Sequence, residues 1–216
     1  HSGPWRGLGA GPNCLAVESA MDEAARTAGA DPLAFRLDHI RDPRLAEVLR
    51  RVGETANWQG TAAAEHNGIR TGRGIACGIY KENSYAAVVA DVAVETSGHI
   101  RVTRLWCTHD CGLVINPDQV RAQCEGNLVW SIGMLLSDAL QIEAGRVTAE
   151  NFHENPIPRL TEVPPIIVEL IASDMPPSGA GETAIVAGPG AIANAIRAAT
   201  GVRPARFPLQ AEAFAT

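Results

Sequence analysis

"YAAVVADVAVETSGHIRVTRLWCT" spans residues 85–108, and its reading decides the fold. Two apolar runs, 85–95 and 100–108, flank the turn-forming tetrapeptide Thr96-Ser97-Gly98-His99. Runs of this kind on either side of a short glycine-containing turn predict an antiparallel hairpin. Upstream, "RGIACGIY" (73–80) predicts a further strand. Downstream, "LQIEAGRVTAENF" (140–152) predicts a second hairpin turning at Ala144-Gly145, and "PIIVELIAS" (165–173) another strand.

The first quarter is helical. Val17, Met21, Ala24, Ala25 and Ala28 follow helical spacing, with Gly29 as the stop. Asp31-Pro32 and Asp42-Pro43 each give an N-cap followed by a proline at the first helical position. Asn116-Pro117 repeats the device before Val120, Cys124, Leu128 and Ile132, and Pro189 opens a last helix that stops at Gly201. The stretch 59–72 has no period and many small polar residues, which predicts a loop or linker. The expected organisation is a helical segment (1–58), that loop, and an α+β segment (73–216). The fold class is α+β: helices first, then a mixed, largely antiparallel sheet with packed helices, rather than regular βαβ alternation.

Composition bounds the function. The chain has 216 residues, 46 % of them apolar and 19 % charged, enough to bury a sizeable core. A net charge of -6 without a basic stripe argues against a nucleic-acid partner. No uninterrupted apolar run has the length of a membrane-spanning segment. Lys81 is the only lysine, a sign of codon bias in a GC-rich genome. His1 reads as an expression scar or a mark of processing or truncation. Any targeting segment would lie upstream, so cytoplasm and periplasm both stay open. Cys14, Cys77, Cys107, Cys111 and Cys124 lack the spacing of zinc or iron–sulfur sites, so buried thiols in a reducing compartment are expected. Cys107 and Cys111 bracket His109 and Asp110, and the latter pair is assigned to turn structure.

The second informative stretch is "GAGETAIVAGPGAIANAI" (179–196), in which one carboxylate, Glu182, stands among small and apolar residues. The glycines superficially match a dinucleotide-binding loop, but the helix signal begins only at Pro189, too late for a helix N-terminus to face a pyrophosphate. Glycines let backbone approach a ligand closely. A carboxylate in apolar surroundings is expected to have a raised pKa and to suit proton transfer near neutral pH. The competing reading is a turn acid with glycines only for the bend. His153, Trp106 and Trp130 are expected to be structural, the two tryptophans as core.

Four stretches in order resemble the C-terminal part of the molybdenum-binding large subunit of the xanthine oxidase family, in particular its isoquinoline 1-oxidoreductase and aldehyde-oxidase branch. They are "WRGLGAGPNCLAVESAMDEAA" (5–25), "HDCGLVINPDQVRAQCEGN" (109–127), "NFHENPIPRLTEVP" (151–164) and the Glu182 loop. The resemblance implies that Glu182 is the base beside the molybdenum. It places Trp5, Arg6 and Gly7 in the loop against the metal centre and the substrate, and Gln123 and Gly181 among the cofactor contacts. No side chain is implied as a metal ligand, because the pterin dithiolene holds the molybdenum. The implied cofactor is molybdenum-molybdopterin in its cytosine dinucleotide form, and this chain alone is expected to lack it. The implied reaction is hydroxylation of an N-heterocyclic aromatic or an aldehyde with water as oxygen donor. The implied partners are the N-terminal portion of the same subunit and a small [2Fe-2S] subunit. Thr183 stands where many relatives have proline, and Leu8 where many have phenylalanine. The alternative is a non-catalytic binding or scaffold module that kept the fold without the cofactor.

Overall fold

The computed structural model describes residues 3, 5–61 and 63–216, and His1 lies outside them. Three helices come first: α1 (Ala10–Thr27), α2 (Pro32–His39) and α3 (Pro43–Thr55). Asp31 and Asp42 cap α2 and α3 as expected. Each side chain accepts two backbone N–H bonds from the first turn, and a proline follows directly.

A five-stranded sheet follows in the order β1 (Ala64–His66), β2 (Ile69–Tyr80), β3 (Ser84–Val94), β4 (Ile100–Asp110) and β7 (Ile166–Leu170). β1 to β4 pair antiparallel, and β7 joins β4 in parallel. Between β4 and β7 lie α4 (Pro117–Leu136) and the two-stranded ribbon of β5 (Ile142–Glu143) and β6 (Arg146–Val147). The last long helix is α5 (Gly188–Thr200), which stops at Gly201 in the left-handed conformation.

The 59–72 stretch departs from its reading as a loop. Residues 64–66 and 69–72 pair as strands, and Asn67 and Gly68 turn between them with φ of 50° and 75°. Two left-handed residues in a two-residue turn match the right-handed twist of the strands they join. The Asn-Gly pair was the signal. His109 and Asp110 are also corrected, being the buried last residues of β4 rather than a turn beyond it. Their role is structural: Asp110 accepts from Arg44 Nε at 2.8 Å and Nη2 at 2.7 Å, which ties β4 to α3. Burial depresses the His109 pKa and favours the neutral ring. The five cysteines are free thiols, four of them buried.

The sheet is covered on both faces, so its antiparallel strands are apolar on both sides. Val48, Leu49 and Val52 of α3 pack on Ile75, Val89 and Trp106. On the opposite face α1, α4 and α5 pack on Ala76, Val88, Ala90 and Leu105. The contact between β2 and α5 is unusually close. A Cβ at Gly74 would lie 2.2 Å from the Ala195 nitrogen and 2.4 Å from the Ala191 oxygen. The alanines of α5 are therefore a packing device, since small residues on both elements let the backbones meet. Ala195→Leu should lower unfolding stability by about 1–3 kcal/mol through overpacking. Chemical denaturation reads this directly, and an unchanged midpoint with an unchanged slope would exclude the close contact.

Candidate active site

Three segments far apart in sequence meet at one end of the sheet. The first is the turn Trp5–Gly9 ahead of α1, where Leu8 N–H donates to Trp5 O at 2.8 Å. Gly7 and Leu8 both take left-handed φ values, 84° and 53°. Gly7 is required here twice over, because a Cβ would also lie 2.1 Å from Ile185 Cγ2. The second segment is the middle of α4, with Gln123 and Asn127 one helical turn apart. The third is the glycine-rich loop 178–182, which continues into a 3₁₀ turn, Thr183–Val186.

Arg6 joins all three. Its Nε donates to Gly181 O at 2.9 Å, and its Nη2 donates to Gly181 O at 2.6 Å and to Gln123 Oε1 at 2.8 Å. Asn127 Nδ2 adds a third donor group, reaching Gly181 O at 3.1 Å and Gln123 O at 2.7 Å. The Gly181 carbonyl is thereby pulled toward Arg6 and α4, and this fixes the direction in which Glu182 leaves the loop. Gln123 is no idle surface amide: with Oε1 turned to the guanidinium, its N–H donors face away from Arg6.

Glu182 is half-buried, and its carboxylate is held at both oxygens. Gly7 N–H donates to Oε1 at 3.3 Å, and the Tyr80 hydroxyl donates to Oε2. The sequence setting led to an expected rise in the Glu182 pKa, and the structure reverses that sign. The Tyr80 hydrogen bond is the largest influence and lowers the pKa, partial burial opposes it, and Gly7 N–H, Lys81 and Arg6 lower it further. Flanking residues in sequence are apolar, but the spatial neighbours are donors and cations. Glu182 is thus held below the usual carboxylate range and is ionised at neutral pH.

The loop is closed by hydroxyls. Ser84 Oγ donates to Gly179 O at 2.8 Å and lies 2.7 Å from Thr183 Oγ1, while Ser178 Oγ donates to Asn83 O at 3.0 Å. Thr183 also donates to Gly179 O at 3.0 Å. Tyr80, Ser84 and Asn127 were not singled out in the sequence. The helical spacing from Gln123 could have pointed to Asn127, whereas Tyr80 and Ser84 carried no local signal.

Trp5 and Trp130 meet edge to face, with ring centroids 5.8 Å apart. Both are partly exposed, at 42 % and 44 %, so Trp130 is corrected from core to surface while Trp106 is buried as expected. Together with Leu140, Ile157 and Pro158 they line an apolar cleft of about 360 Å³. Asp138 stands at the same cleft, its pKa raised by burial. His153 is exposed and makes only a loose contact with Glu154. Among the described residues no cluster of three or more His, Cys, Asp or Glu is placed to bind a metal ion, and no helix is long and apolar enough to cross a membrane.

Residues 15–164 match the family model of the molybdopterin cofactor-binding domain. A component of nicotinate dehydrogenase from Pseudomonas putida is 38 % identical over 221 residues, covering 96 % of this chain and 18 % of the relative. The beta chain of isoquinoline 1-oxidoreductase from Brevundimonas diminuta is 34 % identical over 207 residues, covering 95 % of this chain and 26 % of the relative. Among solved structures, aldehyde oxidoreductase from Desulfovibrio gigas superposes with a TM-score of 0.75 at 16 % identity, over 94 % of this chain and 40 % of that one, a likeness of fold. The chain thus spans about a fifth to a quarter of the length of the two curated relatives. The Arg6 and Glu182 loops lie outside the matched residues 15–164, but the alignments with these two relatives run across nearly the whole chain. The chain therefore belongs to the molybdopterin cofactor-binding domain family, that of the xanthine oxidase-type large subunits its motifs resemble.

Proposed function

We propose that this chain is the C-terminal, base-bearing portion of the cofactor domain of a molybdenum hydroxylase, acting on an N-heterocyclic aromatic substrate or an aldehyde. The observation that carries the reading is the convergence of Arg6, Gln123 and Gly181 beneath an ionised Glu182.

The residues present fit a pterin cofactor. A Cβ at Gly179 would meet nothing within 4 Å, and one at Gly181 would meet only Gln123 Oε1 at 3.7 Å, so the loop presents bare backbone to open space. Exposed backbone and an amide suit an organic group rich in hydrogen-bonding atoms, with no side-chain metal ligand required. Gln123 and the Gly179–Gly181 backbone would hold that group. When bound, it supplies a two-electron redox centre for transferring a water-derived oxygen to carbon. Overall, the substrate C–H and one water would become C–OH, two protons and two electrons. Two electrons leave through a small [2Fe-2S] subunit.

Within this scheme the chain's own residues have separate tasks. Oε2 of Glu182 is committed to Tyr80, whereas Oε1 has only a long bond from Gly7 N–H, so Oε1 is the atom that accepts a proton. General-base action of this kind needs an ionised carboxylate with a free lone pair at the reacting side. Trp5 and Trp130 offer an apolar aromatic wall, in keeping with a planar substrate. The names of the relatives, which refer to nicotinate and isoquinoline, support the N-heteroaromatic class.

The test uses the complete subunit with its iron–sulfur partner and a dye as electron acceptor. Turnover of at least one member of a panel of nicotinate, isoquinoline, quinoline and aromatic aldehydes is the expected result. Bound cofactor without oxidation of any of them, or absence of cofactor, leaves the scaffold reading in its place. Mass spectrometry of the released cofactor checks the cytosine dinucleotide form.

A further inference from the structure

The β2–β3 hairpin ends in an unusual tip. Lys81 and Glu82 both hold left-handed backbone, with φ of 49° and 66°, although neither is glycine. Such conformations persist only where surrounding contacts over-determine them, and they gather at functional sites. Glu82 O accepts from the Tyr85 hydroxyl at 3.4 Å, and the hydrogen bonds of the Tyr80 and Ser84 side chains and of Asn83 O run to one place. Ser84 Oγ and Asn83 O bind Gly179 O and Ser178 Oγ, and the Tyr80 hydroxyl binds Glu182 Oε2. The tip is a clamp on the Glu182 loop, and its one contact with the carboxylate itself comes from Tyr80.

We propose that Tyr80 is the positioning residue of Glu182, fixing Oε2 so that Oε1 alone receives the proton and setting the pH below which the base is lost. This rests on Glu182 being the base of the proposed function. Tyr80 is suited to the task because it donates and keeps its proton. Burial and the neighbouring carboxylate push its pKa up to about 12, so it remains a donor throughout the neutral range. The other groups facing the carboxylate are Lys81 from the hairpin tip, and Arg6 and the Gly7 amide from the turn before α1. α4 contributes the uncharged Gln123, which faces Arg6. Lys81 and Arg6 act through charge at longer range, whereas the phenol acts through a direct hydrogen bond.

The sign follows from the chemistry. A hydrogen bond donated to the ionised form lowers the pKa, so its removal raises the pKa. In Tyr80→Phe the acid limb of the kcat/KM profile should therefore move to higher pH. At alkaline pH, where Glu182 is ionised in both proteins, the gap between the rates should narrow to the part caused by the unfixed carboxylate. A purely structural role would lower the rate at every pH and leave the limb in place. Lys81→Met, which keeps the hydrogen bond, should move the limb less.

The experiment measures these profiles in the complete holoenzyme, with thermal melts showing that the variants are folded. It is paired with an infrared difference titration of the Glu182 carboxylate band, using Glu182→Gln as the blank, which needs no turnover. An upward shift in both readouts for Tyr80→Phe is the expected result. No shift in either, or an equal shift in Lys81→Met, overturns the inference. If Glu182→Gln turns over normally, the base assignment fails instead, and the infrared titration still reports whether Tyr80 sets the carboxylate pKa.

Discussion

Glu182→Gln in the complete enzyme is expected to keep fold and cofactor and to lose turnover by at least ~10²-fold, the scale of general-base removal. Glutamine is nearly isosteric, and its one carbonyl oxygen can still accept from the Tyr80 hydroxyl, so only the long Gly7 contact loses its acceptor. What it cannot do is hold an additional proton at neutral pH. The loss should fall on kcat and kcat/KM together, since the missing interaction belongs to the transition state. Molybdenum content measured alongside the rate separates a chemical defect from a binding defect. Near-normal turnover in a cofactor-replete variant would falsify the assignment of Glu182 as base.

Arg36→Met is expected to be the most damaging substitution for stability, by about 3–5 kcal/mol, because it leaves buried carboxylates without their counter-charge. Arg36 is 1 % exposed. Its Nε donates to Glu18 Oε2 at 2.8 Å, its Nη2 to Glu18 O at 2.9 Å and its Nη1 to Pro32 O at 3.1 Å, with Asp22 Oδ1 3.8 Å away. Glu18 Oε2 also accepts from the Cys77 backbone N–H of β2 at 3.0 Å, so one ion pair ties α1 and α2 to the sheet. Burial already raises the pKa of Asp22, with Arg36 the chief opposing influence. Removing the arginine should raise it further. The consequence for pH runs one way: a buried carboxyl with a raised pKa stabilises fully below its unfolded pKa, and that contribution is lost as pH rises from there through the folded pKa. The variant should therefore be most impaired at neutral to alkaline pH and partly recovered in mild acid. Arg36→Lys keeps the charge without the planar fork and should recover only part of the loss. Urea midpoints for the two variants at acid and neutral pH decide it, and a loss under about 1 kcal/mol in Arg36→Met would show that the ion pair is not a structural tie.

Arg36 also shows where sequence reasoning stopped. In α2 it stands one position before the apolar Leu37, and nothing in that octapeptide marks it as buried. Its burial depends on Glu18, eighteen residues earlier, and on β2. The expectation for Glu182 failed in its sign for the same reason. Its sequence neighbours are Gly181 and Thr183, but its electrostatic neighbours are Tyr80, Gly7, Lys81 and Arg6. Trp130 reads as core by residue type, yet it faces a cleft because α4 presents that side away from the sheet.

The sequence by itself determined the elements whose causes are local. The Asp-Pro and Asn-Pro caps placed the starts of α2, α3 and α4, Gly201 placed the end of α5, and Thr96–His99 placed the β3–β4 turn. These follow from hydrogen bonds and allowed dihedrals within a few residues. The motifs also determined the family. Tertiary structure alone decided that β7 pairs in parallel with β4, that glycines of β2 receive α5, and that Arg6 meets Gly181 across 175 positions. It also decided that a glutamate in an apolar stretch is an ionised one. Such outcomes depend on which groups share a few ångströms of low-dielectric space, and chain order does not encode that distance.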